Sequence, residues 1–281
     1  MPTFSTPTPV DLAITLTVGS IEIIATDRAD TVVTVSPTNP GKNADVRAAE
    51  ETTVEFDGDR VVVRGPRPRF AIIGPNESIE VRVELPTGSR VTADTYGFVR
   101  TSGRLGATRL KASHVRLDAV ADLWVRALHG NVEAKRIDGS AEITADHGRV
   151  RLGTVTGDAA VKASHGAVTV GESGGDLDAR LSYGDLEIRS ALGSVTAKTA
   201  YGTVAIEEVS SGSMHLETGY GEITVGVRPG VPAWLDLASK NGRVRNALVA
   251  DAAPSSGEQT VAVRARTQYG EIEIRRSGAA K

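Results

Sequence analysis

The chain of 281 residues has no cysteine, only four phenylalanines and two tryptophans, and no apolar run long enough to cross a bilayer. Without thiols it can form neither disulfides nor thiolate metal sites. Because aromatic residues are few, a core has to be built from Val, Ile, Leu and Ala. A spanning helix needs about 20 mainly apolar residues, so we expect no membrane span.

The chain also lacks an excess of positive charge: 32 basic residues stand against 35 acidic ones, which gives a net charge of −3. Nucleic-acid binding depends on a basic face that displaces counterions from the phosphates, so we expect no nucleic-acid partner. The first eleven residues have neither the basic start nor the apolar segment of a secretory signal. We therefore expect a cytoplasmic protein.

Glycine is abundant, with 30 copies, and part of it recurs at a fixed interval. A histidine or tyrosine followed by glycine returns every 18 residues, with looser copies at residues 96, 220, 241 and 269. The five regular copies are His129-Gly130, His147-Gly148, His165-Gly166, Tyr183-Gly184 and Tyr201-Gly202. A fixed period in β-patterned sequence is typical of a solenoid, in which each repeat buries its apolar face against its neighbours.

Apolar residues alternate with polar ones inside each repeat, as in Ala141, Ile143 and Ala145 and again in Val150 and Leu152. Alternation with period two indicates strands that bury one face, and no window favours a helix. The sequence therefore predicts an all-β protein, a β-solenoid with coils of about 18 residues.

Three segments differ in pattern. Residues 1–90 lack the 18-residue period and predict an antiparallel N-terminal cap, with a hairpin at Asp57-Gly58. Residues 91–227 predict the regular coils. Residues 228–281 predict irregular coils and a C-terminal cap, with Trp234 as a core plug. Loops are predicted near Pro40, from residue 66 to 75, and from residue 252 to 257.

At the corner of each repeat, the alternation of inward-facing and outward-facing residues is interrupted. The His or Tyr continues the inward parity of the strand before it, whereas the next inward residue comes one position late. A glycine with positive φ produces such a shift, so we expect the rings to lie half-buried at a corner and to stack about 4.8 Å apart. The predicted corner residues are Gly130, Gly148, Gly166, Gly184, Gly202, Gly221, Tyr183, Tyr201 and Tyr220.

With these repeats the chain resembles a bacterial family of β-strand-repeat domains of unknown function, the putative-adhesin or Toastrack domains. The resemblance is carried by the segments at 18–23 and 81–88 and by the Gly-x-apolar-x-apolar units from Gly130 to Gly270. It implies a β-solenoid used for binding or scaffolding, linked to adhesion or envelope stress.

The histidines allow two interpretations. Imidazoles of His129, His147 and His165 on successive coils could bind a transition metal or respond to pH. Tyrosine, a poor metal ligand of similar shape, takes the same place in later coils, and no carboxylate recurs beside the histidines. The structural interpretation is therefore favoured, and we expect no metal and no cofactor.

Acidic residues suggest a second alternative, an enzyme that acts on polysaccharide through clustered carboxylates. Asp158 and Asp176 are one coil apart, and Asp118 and Asp122 precede them. However, serine occupies the place of Asp158 in other coils, and both residue types are common in turns. We therefore expect a non-enzymatic scaffold that presents rows of polar side chains to a protein partner or to itself.

Overall fold

The computed structural model describes residues 2–66, 77–248 and 259–278. The chain divides into two compact units, Met1–Asp138 and Gly139–Lys281. Both are built from parallel β-coils, which confirms the predicted all-β solenoid. Two of the predicted loops, 66–75 and 252–257, lie outside the described residues except for Pro66.

The first unit contains fourteen strands and one helix within its described residues. They are β1 (Thr3–Ser5), β2 (Asp11–Thr15), β3 (Gly19–Thr26), β4 (Asp30–Pro37), α1 (Asn43–Glu51), β5 (Thr53–Asp57), β6 (Arg60–Arg64), β7 (Ile79–Pro86), β8 (Arg90–Asp94), β9 (Phe98–Ser102), β10 (Arg104–Leu105), β11 (Thr108–Lys111), β12 (His114–Val120), β13 (Leu123–His129) and β14 (Val132–Ile137).

These strands form two sheets, so that each coil contributes one strand to each. One sheet has the order β1-β4-β7-β3-β9-β12-β14, with β10 beside β12, and the other has the order β13-β11-β8-β2-β6-β5. Alternate residues of a strand point inward, as in β7, where Ile79, Val81 and Val83 are buried and Glu80 and Arg82 are exposed. This alternation follows from the pleat of a strand.

The antiparallel pairing predicted for the first 90 residues is only partly correct. The hairpin β5–β6 is antiparallel, as are β1–β4 and β4–β7. By contrast, β2 pairs in parallel with β6 and β8, and β3 pairs in parallel with β7 and β9. Solenoid coils therefore begin at β2, because alternating apolar residues indicate a strand without fixing the direction of its neighbour.

A helix also lies in this unit, directly after the predicted loop near Pro40, although no helical window was expected. It has nine residues, too few for a helical period to stand out from the sequence. Asp45 in its first turn is buried and accepts hydrogen bonds from the N–H groups of Asn39 and Ser78, at 3.2 and 3.0 Å. These bonds join the helix to the chain on both sides of it.

The second unit contains strands only among its described residues. They are β15 (Ala141–His147), β16 (Val150–Val155), β17 (Ala159–His165), β18 (Val168–Ser173), β19 (Leu177–Tyr183), β20 (Leu186–Ala191), β21 (Val195–Tyr201), β22 (Val204–Val209), β23 (Gly212–Tyr220), β24 (Ile223–Val227), β25 (Ala233–Asn241), β26 (Val244–Asn246), β27 (Val261–Tyr269) and β28 (Ile272–Arg276).

The strand order of this unit departs from the chain order at its end. One sheet runs β15-β17-β19-β21-β23-β27-β25 and the other runs β16-β18-β20-β22-β24-β28-β26. The last coil of the chain therefore lies between the two coils that precede it in sequence. Trp234 on β25 is 64% exposed, so its predicted role as a core plug is wrong. Its neighbour Leu235 occupies the inward position and registers with buried Val263.

The interior of this unit is made of aliphatic side chains stacked in register. Val168 registers with Val150 on one side and with Leu186 on the other, and all three are buried. Burying a side chain of this size contributes about 1.5–3 kcal/mol. The same contacts recur at each coil, which is why the 18-residue period can be read directly from the sequence.

Candidate functional site: an exposed ring stack

Six rings from successive strands of the second unit lie directly over one another. They are His147, His165, Tyr183, Tyr201, Tyr220 and Tyr269, and we call them the ring stack. Neighbouring ring centroids are 4.8–5.1 Å apart and the ring planes meet at 2–16°. This spacing equals the distance between hydrogen-bonded strands, so the backbone sets it.

The rings lie at the ends of their strands and do not continue the buried row. The four tyrosines of the ring stack are 46–51% exposed, although the residues two positions earlier are buried. The prediction that the rings continue the row of inward-facing residues is therefore wrong, because this row ends two positions before each ring. Each inner ring covers the faces of its neighbours, which leaves ring edges and hydroxyl groups in contact with solvent.

A glycine with positive φ follows each ring position from His129 to Tyr220. The φ angles are +113° at Gly130, +127° at Gly148, +128° at Gly166, +152° at Gly184, +149° at Gly202 and +156° at Gly221. At Gly166 an added Cβ would also overlap the carbonyl oxygen of Gly148 in the adjacent coil. This corner needs glycine both for its backbone conformation and for the close approach of two coils.

Buried threonines support the same corners from inside, a feature that the sequence analysis missed. Thr218 donates from its hydroxyl to the carbonyl oxygen of Gly202 at 3.0 Å, and Thr267 does the same to Gly221 at 3.1 Å. Both threonines are 5% exposed. A threonine among Ala and Leu at the last inward position was the available signal, because a buried hydroxyl needs a hydrogen-bond partner.

Of the three histidines proposed as metal ligands, His147 and His165 stack at 4.8 Å in the second unit. His129 is the last residue of β13 in the first unit. In the described parts of the chain, no three His, Cys, Asp or Glu side chains come close enough to hold a metal ion. That the histidines bind no metal stays a prediction, which can be tested on His147.

The acidic residues proposed for catalysis make structural hydrogen bonds. Asp158 accepts from the N–H of Asp176 at 2.9 Å, and Asp176 accepts from the N–H of Ser194 at 2.9 Å. Each carboxylate thus holds the backbone of the next coil. The carbonyl oxygen of Asp122 accepts from the N–H of Thr108 at 2.9 Å.

Asp118 accepts from Lys135 Nζ at 2.9 Å and from the N–H of Gly103 at 3.1 Å, and these two bonds lower the pKa of its carboxyl group. A glycosidase acid requires the opposite shift, since it has to remain protonated until it transfers its proton. Asp118 therefore does not have the electrostatic environment of such an acid.

With this geometry established, the chain can be compared with known families. The family model Toastrack DUF4097 matches residues 10–279. The chain belongs to this Toastrack family. The resemblance stated from the repeats is thereby confirmed. No protein of curated function matches this Toastrack chain.

Solved structures similar to this Toastrack chain include a putative adhesin of Bacteroides fragilis and one of Parabacteroides merdae. Each is 10% identical to this chain. The comparison with the Bacteroides fragilis protein covers 97% of this chain and 95% of the other, with a TM-score of 0.37. The comparison with the Parabacteroides merdae protein covers 97% of this chain and 94% of the other, with a TM-score of 0.32. A putative cell adhesion protein of Clostridium sporogenes is 12% identical, with 98% of both chains covered and a TM-score of 0.19.

No helix that the structure describes in this Toastrack chain is long and apolar enough to cross a membrane.

The outer faces of its strands carry ion pairs between successive coils. Arg116 and Glu133 are 2.9 Å apart in the first unit, and Lys198 and Glu217 are 2.9 Å apart in the second. Exposed pairs of this kind contribute about 0–1 kcal/mol each, so they add little to the stability of the fold.

Proposed function

We propose that this Toastrack chain is a non-enzymatic binding scaffold and that its ring stack contacts a protein partner. The observation that supports this most directly is the ring stack itself. It places six partly exposed rings in one line about 25 Å long, at the spacing of the strands.

The ring stack has the chemistry of a protein contact surface. Tyrosine is enriched at such surfaces because it combines a large apolar ring with a hydroxyl group. Binding normally costs free energy to immobilise side chains, about 0.5–1.5 kcal/mol for each flexible one. Here the neighbouring rings already restrict one another, so a partner meets side chains in nearly fixed positions.

The competing proposal of a polysaccharide-acting enzyme has less support. The carboxylates of Asp158 and Asp176 are occupied by backbone N–H groups, and that of Asp118 by Lys135 and Gly103. We expect no release of reducing ends when the protein is incubated with acidic polysaccharides. Release that is lost in Asp158→Asn would favour the enzyme.

The binding role can be tested by comparing two triple variants with the unmodified chain. Tyr183, Tyr201 and Tyr220 are replaced by serine in one. Arg151, Glu187 and Thr224, which lie on the outward face of the other sheet of the same unit, are replaced by serine in the control. Each protein is immobilised and exposed to extract of the native host. We expect a specific set of retained proteins that the tyrosine variant loses and the control keeps.

Equal retention by both variants, with folding verified by circular dichroism, would contradict the role of the ring stack. If the retained species is the chain itself, the scaffold acts by self-association. A cytoplasmic location stays a prediction, which fractionation of the host would test. Links to adhesion or envelope stress, implied by the resemblance, stay predictions as well.

A further inference from the structure

A notch opens on the outward face of the first unit, where three successive strands reach their corners. Tyr96, Ser113 and Leu128 each follow by two positions the registered residues Asp94, Lys111 and Arg126. Ser113 therefore lies between Tyr96 and Leu128, with a small side chain where its neighbours have large ones. The two large side chains belong to strands two spacings apart, about 9.6 Å.

The length of the corner explains why the middle side chain leaves a gap. Seven positions separate Thr108 from Val115, whereas nine separate Leu123 from Val132 in the following coil. Thr108 registers with Leu123, and Val115 registers with Val132, so the middle corner is shorter by two residues. The chain there takes a more direct path from one strand to the next.

The resulting cavity has a volume of about 240 Å³. Its lining residues are Asp94, Thr95, Tyr96, Lys111, Ala112, Ser113, Arg126 and Leu128. Tyr96 is 69% exposed and Leu128 41%. Among the described residues no ring stacks on Tyr96, although each inner ring of the ring stack has two neighbours. One wall of the notch is thus an aromatic ring with an open face.

The notch is fixed in position and carries an excess of positive charge. The hydroxyl of Ser113 donates to the carbonyl oxygen of Tyr96 at 2.8 Å. This bond fixes Ser113 against the backbone of Tyr96. Lys111 Nζ lies 3.5 Å from Asp94 Oδ2, so these two charges balance. Arg126 makes no ion pair with any residue that the structure describes. Its guanidinium group is therefore available to an anion.

We propose that this notch binds a small planar aromatic carboxylate. The ring would lie over Ser113 between Tyr96 and Leu128, where two strand spacings leave room for one ring in a stack. The carboxylate would pair with Arg126. A volume of 240 Å³ is sufficient for a single ring with its carboxylate. This inference concerns the first unit and does not depend on the proposed role of the ring stack.

Three probes of similar size distinguish the two parts of the proposal. Benzoate has both the planar ring and the carboxylate, cyclohexanecarboxylate lacks the planar ring, and benzyl alcohol lacks the charge. Binding to the full chain is followed by amide chemical shifts in NMR spectra. We expect benzoate to bind with a dissociation constant of about 1 mM and to shift the amides of Gly97, Ala112 and Leu128. The other two probes should bind at least about tenfold more weakly.

Variants locate the site. Tyr96→Ala and Arg126→Gln change exposed side chains, so the fold should persist, and each should weaken benzoate binding at least about tenfold. Trp234→Ala, which removes an exposed aromatic side chain from the other unit, is the matched control and should leave binding unchanged. The proposal is overturned if benzoate shifts no amide around the notch, if cyclohexanecarboxylate or benzyl alcohol binds as well, or if Trp234→Ala weakens binding equally.

Discussion

The ring position in the coils of the second unit accepts either histidine or tyrosine, and the geometry gives a reason. His165 stacks on Tyr183 at 5.1 Å, nearly the distance between Tyr183 and Tyr201. Both side chains are flat rings with a polar edge, and the corner leaves that edge exposed. Packing therefore selects shape here, and imidazole chemistry is not needed for it.

This leads to a first prediction. His147→Tyr should fold with an unchanged free energy of unfolding, because the new ring can stack on His165 as Tyr183 does. Urea unfolding of both proteins would measure this. A rise in melting temperature with Zn²⁺ or Ni²⁺ that this substitution abolishes would instead show that the histidines bind metal, since a ligand of the folded state stabilises it by mass action.

A second prediction concerns the corner glycines. Gly166→Ala should destabilise by more than about 2 kcal/mol, because positive φ costs roughly 1–2 kcal/mol and the added Cβ overlaps Gly148 of the adjacent coil. Gly58→Ala is the matched control, since Gly58 also has positive φ but no atom near its Cβ position. Denaturant unfolding measures both. Equal losses for the two variants would show that the close approach of coils is unimportant.

Among the elements, the β5–β6 hairpin could be predicted from the sequence and the helix α1 could not. Apolar alternation and an Asp-Gly dipeptide were sufficient for the β5–β6 hairpin. The helix is short and polar, and its place depends on Asp45, whose partners Asn39 and Ser78 lie 6 and 33 positions away in sequence. A contact over 33 positions leaves no periodic trace, so only the structure reveals it.

Asp45 carries a third prediction. Burial alone would raise the pKa of its carboxyl group, but the N–H of Ser78, the Lys42 ammonium group and the N–H of Asn39 outweigh that effect and lower it. With a pKa below the ordinary 3.8, its contribution to stability is complete above that value and is lost as the pH falls through the folded-state pKa.

We expect Asp45→Ala to lose about 1–3 kcal/mol at neutral pH, since the N–H groups of Asn39 and Ser78 lose a charged acceptor in part-buried hydrogen bonds. The difference from the unmodified chain should shrink as the pH falls below 4, which unfolding curves across that range would measure. Glu55→Ala, in an exposed ion pair with Arg64, is the control and should change stability little. A difference that is independent of pH would contradict the ionised state of Asp45.

At the scale of the whole chain, the coils could be predicted and their final order could not. The repeat from His129 to Tyr201 specified the period, the two strands of each coil and the glycine corners. The strands β25 and β27 have similar alternating apolar residues, and each can register with a neighbour. Sequence order then suggests a simple succession, whereas in the structure β27 lies beside β23 and stacks Tyr269 on Tyr220.

A fourth prediction tests this order by truncation. A chain that ends at Leu248 keeps β25 and β26 but lacks β27 and β28, to which they are hydrogen-bonded. We expect residues 233–246 to lose their protection from hydrogen exchange, so that this chain matches a control that ends at Val227 in strand content. Protected amides between 233 and 246 in the longer truncation would show that β25 can pair directly with β23.

The position of β27 also has a consequence for biosynthesis. The ribosome synthesises β25 before β27. The coils up to β24 can therefore pack one after another during synthesis, whereas β25 can reach its final position only after β27 has been made. The outer strand of the second unit thus depends on the last residues to be translated. A protein released early would carry an undocked segment containing Trp234 and two leucines, which is the type of apolar segment that chaperones and proteases recognise.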